Sequence, residues 1–176
     1  MKKLKVPFIQ GLDDLDMSTV SLMMETKAQR EYIDVVDWKE FPYKPIVAFD
    51  IIRSEKSLYI RYSLKAVFDK DDSDVHLDSC VEFFMQRCGD EEYMNFEFNC
   101  IGACDAARRI SRDQKTSLTA AEYKSIRRYS SLEENTFEEK KGIYEWELLV
   151  SIPFEVMGLS PTHLPESWRV SSQKQT

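Results

Sequence analysis

The chain is short of the features that would point to a metalloprotein, a membrane protein or a nucleic-acid binder. Its four cysteines, at 80, 88, 100 and 104, form no C-x-x-C pair of the kind that builds a zinc site, and reduced thiols are the expectation. No apolar run approaches the roughly 20 residues of a membrane span, so no span is expected and the domain reads as soluble. Basic residues are outnumbered, 24 against 31 acidic, for a net charge of -7. The short runs ARR (107 to 109) and RRY (127 to 129) make no segregated basic patch, and phosphate backbones would be repelled. The start, MKKLKVPFIQGLDD, is basic but has no apolar h-region after it, so it does not read as a secretory signal. No repeat or low-complexity segment interrupts the chain.

What is present is a 176-residue sequence, 43% hydrophobic and 31% charged, which suits one domain with a sizeable core. Its most informative stretch is 78 to 101, DSCVEFFMQRCGDEEYMNFEFNCI. It reads as two strands around a turn, with Val81, Phe83, Met85, Met94, Phe96, Phe98 and Cys100 alternating onto a core face. Cys80, Glu82, Phe84, Gln86, Tyr93, Asn95, Glu97 and Asn99 then share the other face, because successive strand side chains point to opposite sides. Carboxylates and amides interleaved with aromatics suit a surface that must hydrogen-bond hydroxyls and offer flat apolar patches to pyranose rings. Cys80 and Cys100 fall on opposite faces, which argues against a bridge between them.

The same alternation predicts further strands over 28–36, 45–53, 57–65, 103–110 and 142–153, with IRRYSSL a shorter one. The connection SEK makes a hairpin of 45–53 and 57–65. Leu58, Ile60, Tyr62 and Leu64 take its core side, and Tyr59, Arg61, Ser63 and Lys65 the polar side. A helix capped by Asp16 or Ser18 buries Val20, Met23 and Met24, and Thr119 with Glu122 forms a capping box for a second helical turn. Residues 111 to 118 read as loop, and Pro153 followed by FEVMGL as a strand end and turn. Many strands, few helices and short connections indicate an all-β antiparallel sandwich.

In this order, DW with YKPIVAF, SLYIRYSLK, the DSCVEFF and NFEFN hairpin, and YEWELLVSIPFEVMGL resemble the carbohydrate-binding modules of family 9 and their family 9-like relatives, whose sandwich is akin to DOMON-like domains. The resemblance covers residues 28 to 160. It implies non-catalytic sugar binding between two tryptophans, in a domain that accompanies glycoside hydrolases outside the cytoplasm. By motif position it implies ligand contacts at Glu82 and Asn99, while Glu97 stands where a binding member has an arginine. His76 stands where the family has its first tryptophan, and the tail WRVSSQKQT does not resemble the region of the second. The expectation is a single domain over 1–176 lacking the family's last strands, with a neighbouring strand left as an exposed edge.

The candidate ligand-binding residues are therefore Glu82, Asn99, Glu97, His76 and Arg61, the last able to pair with Glu82 or Glu97 or to clamp a hydroxyl. The competing readings are a solvated sheet face, a glycosidase pair made of Glu82 and Glu97, and a scaffold that has lost sugar binding. Trp146 reads as core, Trp38 as ambiguous. Asp69, Asp71 and Ser73 begin like a calcium loop, but Asp74 replaces its glycine and Cys80 its final glutamate. No cofactor is expected, with structural calcium the one addition the loop and the resemblance allow. Haem would need His76 with Met85 or Met94, both of which alternate into the core. The expected partner is a carbohydrate.

Overall fold

The structure, a computed structural model, describes residues 3–33, 46–68, 80–132 and 142–175. It is mostly β. Sheet A comprises β1 (Gln29–Ile33), β2 (Ile46–Arg53), β3 (Ser57–Phe68), β8 (Arg127–Ser130) and β9 (Gly142–Pro153), in the order β1-β2-β3-β9-β8. Sheet B comprises β4 (Cys80–Arg87), β5 (Tyr93–Asn99), β6 (Cys104–Arg109), β7 (Lys115–Ser117) and β10 (Trp168–Gln175), in the order β10-β4-β5-β6-β7. Every named strand pairing is antiparallel. Helix α1 (Met17–Lys27) precedes the strands and α2 (Ala120–Ser125) links the sheets.

The main core fills the space between the sheets with the residues that alternation selects. Leu58, Ile60, Tyr62 and Leu64 of β3 and Trp146, Leu148, Val150 and Ile152 of β9 meet Val81, Phe83, Met85, Met94, Phe96 and Phe98 of the β4–β5 hairpin. Each such side chain contributes about 1.5–3 kcal/mol when withdrawn from water. The hairpin turns through Gly89, whose φ of 96° is left-handed and suits a residue without Cβ. After Pro153 the chain makes its predicted turn, closed by Leu159 N–H donating to the Phe154 carbonyl at 2.8 Å.

Asp16 caps α1, its carboxylate accepting from the Thr19 N–H at 2.9 Å. Val20 and Met24 are buried and Met23 partly so. They pack on the outer face of sheet A against Ile52, Tyr59 and Leu149, with Leu12 beside them. The face read as polar from Tyr59 and Arg61 is therefore a second, smaller core. Thr119 and Glu122 form both halves of the capping box on α2.

Two elements differ from expectation. Residues 111 to 118 include the short strand β7, and the tail is β10, which pairs with β4 over eight positions from Trp168↔Arg87 to Gln175↔Cys80. β4 is thus an inner strand of sheet B, with β10 outside it. Across the core, the Tyr62 and Ser172 hydroxyls lie 3.4 Å apart. His76, Trp38 and the acidic loop with its calcium-like start at Asp69 lie outside the described residues.

Candidate functional site

The candidate site is the outer face of sheet B. Its register sets side chains in rows across the strands: Glu82 of β4 opposite Glu97 of β5, and Glu97 opposite Asp105 of β6. One row along stand Phe84, Asn95 and Ala107, and Arg109 lies opposite Tyr93 in the next. Facing side chains in such rows stand about 4.5–5.5 Å apart at Cβ.

This face is not a solvated surface. Glu82 is 2% exposed, Asn95 5% and Asn99 3%, while Phe84, Tyr93 and Glu97 are half-buried around them. A polar group taken from water without a partner costs about 1–3 kcal/mol, so buried polar atoms normally have one. Here several do not. Among the described residues, the buried side-chain atoms without a hydrogen-bond partner are Glu82 Oε1, Asn95 Oδ1, Arg109 Nε and Trp146 Nε1. The first three belong to this face. Asn95 donates its Nδ2 to Glu97 Oε1 at 2.8 Å, which fixes the amide's orientation and turns Oδ1 away from that bond. Arg109 donates through Nη1 to the Arg112 carbonyl at 2.9 Å, so its guanidinium is anchored at one end.

The electrostatics follow from the register. Burial pushes the Glu82 carboxyl up to about 7, the charge of Glu97 adds to the rise, and Arg109 offsets part of it. Glu82 therefore exchanges its proton near neutrality. Phe84 and Tyr93 lie side by side, ring centroids 6.3 Å apart and planes at 40°. Asp105 accepts from the Tyr123 hydroxyl at 3.1 Å, which fixes the far end of the carboxylate row.

Of the residues selected from sequence, the structure brings Glu82, Glu97 and Asn99 together. Asn99 has a local duty: its Oδ1 accepts from Ala103 N at 2.8 Å and Ile101 N at 3.2 Å, shaping the turn into β6. Arg61 is elsewhere. It lies on the α1-covered side of sheet A, 2% exposed. There it donates to Asp50 Oδ2 through Nη2 at 2.8 Å and Nε at 3.1 Å, and to the Ser21 carbonyl at 3.0 Å. Its expected pairing with Glu82 or Glu97 is not made, because the intersheet core separates the two faces. Met85 and Met94 are both buried in that core, on the side their alternation predicts. Sequence reasoning passed over Asn95 and Arg109. Asn95 was within reach, since it alternates with Glu97, but Arg109 needed the β5–β6 register, which opposes it to Tyr93.

Fold and geometry define an antiparallel β-sandwich domain whose sheet B carries a largely buried polar outer face. The family model of carbohydrate-binding family 9 matches residues 17–170, and the chain belongs to that family. The crystal structure of a Bacteroides uniformis protein assigned as carbohydrate-binding is similar over 97% of this chain and 82% of its own, at 30% identity and a TM-score of 0.81. A family 9 carbohydrate-binding module from Caldicellulosiruptor kristjanssonii, in complex with cellotriose, is similar over 97% of this chain and 76% of its own. At 9% identity and a TM-score of 0.59, that second likeness is one of fold. No curated protein matches the chain.

Proposed function

We propose that this protein binds a carbohydrate on the outer face of sheet B without transforming it. The observation that carries the reading is the set of buried atoms without partners, Glu82 Oε1, Asn95 Oδ1 and Arg109 Nε, gathered on one face. Sugar hydroxyls donate and accept, so they can satisfy both carbonyl-type acceptors and the guanidinium N–H together. Phe84 and Tyr93 supply the apolar surface for a pyranose ring. Glu97 acts with Asn95, and Asn99 offers its Nδ2 while its Oδ1 holds the turn. Membership of family 9 supports the same class of ligand.

Glu82 and Glu97 also invite the reading of a glycosidase pair, since one carboxyl exchanges its proton near neutrality beside another. A glycan panel separates the two. Bound sugar recovered unchanged, with affinity lost in Glu82→Ala, supports the binding module; shortened products that disappear in Glu82→Ala establish the enzyme. An absence of binding across the panel overturns both and leaves a scaffold.

A further inference from the structure

We propose that this face selects an amino sugar, a glycan with a free amine whose ammonium is held by the row of Glu82, Glu97 and Asp105. The inference rests on the reading of this face as a carbohydrate site and names the ligand class within it.

Three carboxylates stand directly opposite one another on adjacent strands. Like charges so placed destabilise a sheet, and among the described residues no lysine or arginine forms an ion pair with any of the three. Arg109 is set along the strands from the row and directs Nη1 to the Arg112 carbonyl. The repulsion from Glu97 therefore outweighs its attraction at Glu82. A cation placed over the row removes the conflict.

Two of the three partnerless atoms on this face point the same way, the third being the Arg109 Nε donor one row further along the strands. Glu82 Oε1 lies in the row and Asn95 Oδ1 beside it, both on residues at least nine-tenths buried, and both are acceptors. An ammonium carries three donors and no acceptor, which matches a row of carboxylate and amide oxygens. Bonds from a charged donor to a carboxylate are roughly twice as strong as neutral ones. A neutral sugar can use the same acceptors but brings no positive charge to offset the crowding of like charges in the row, and a uronate adds to it.

The test is calorimetric titration, at about pH 7, with three β-1,4-linked trimers of one length: glucosamine with free amines, its N-acetylated form, and cellotriose. The free-amine trimer should bind at least about tenfold more tightly than the other two, the added attraction of one partly desolvated ion pair over a hydroxyl on the same carboxylate. Glu82→Gln and Glu97→Gln should each reduce that advantage to about threefold or less. Glu92→Gln, which removes the same charge at an exposed position in the hairpin turn, should leave it intact. Equal affinity for the three trimers overturns the inference and leaves the carbohydrate reading standing. An advantage that survives in Glu82→Gln, or falls equally in Glu92→Gln, reduces it to bulk attraction by an acidic protein and overturns it. If none of the three binds, the inference falls, and the wider glycan panel decides the carbohydrate reading on its own.

Discussion

Glu82 and Arg61 are both charged residues buried in a sheet, yet they do opposite things. Arg61 lies between Asp50 and the Ser21 carbonyl. Burial alone would raise the Asp50 carboxyl, but hydrogen bonds from Arg30 and Arg61 hold it below the usual carboxylate range. Removing Arg61 leaves the buried Asp50 carboxylate with the half-exposed Arg30 as its one remaining cation among the described residues. Arg61→Ala should therefore cost about 3 kcal/mol in denaturant unfolding while leaving sugar affinity unchanged; lost affinity in a folded variant would return Arg61 to the site. Glu82 is held against its preference, with its carboxyl raised to about 7. A carboxyl raised on folding binds more protons folded than unfolded, so its favourable contribution is complete below the unfolded value and is lost as pH rises through about 7. Glu82→Gln, neutral at every pH, should be more stable than the wild type by about 1–3 kcal/mol at pH ~8 and nearly equal to it at pH ~5. Urea unfolding at both pH values checks this, and an equal difference at both would remove the burial argument.

At the scale of elements, legibility followed period and apolar content. The β4–β5 hairpin, β3 and β9 could be read with their faces, because unbroken alternation leaves one arrangement of side chains. β7 could not, since Lys115, Thr116 and Ser117 are all exposed and carry no apolar face. β10 escaped for a related reason: its apolar residues are Trp168 and Val170, followed by a polar run, and only the pairing with β4 makes it a strand. The outer side of β3 was misread because Arg61 looks solvent-facing until α1 is seen to cover it. Without β10, the backbone of β4 becomes an unpaired edge. Deleting residues 168–176 should make the protein scatter light at concentrations where the full chain stays clear. A deletion variant as soluble as the full chain would show that β10 does not protect β4.

In the molecule as a whole, the two outer faces of the sandwich differ in what covers them and in how their polar atoms are satisfied. Sheet A gives its outer face to α1 and a second core, which thickens the scaffold. Sheet B keeps a polar outer face with partnerless atoms, and its other face packs into the intersheet core. The acid-rich composition was visible in the sequence, but the alignment of Glu82, Glu97 and Asp105 was not, because it depends on two registers at once. The most direct measurement is the structure of the protein bound to the tightest glycan from the panel. A sugar ring should lie against Phe84 and Tyr93, with polar groups within hydrogen-bond distance of Glu82 Oε1 and Asn95 Oδ1. A glycan seated on the α1 side of sheet A, or on sheet B with those two atoms still unpartnered, would contradict it.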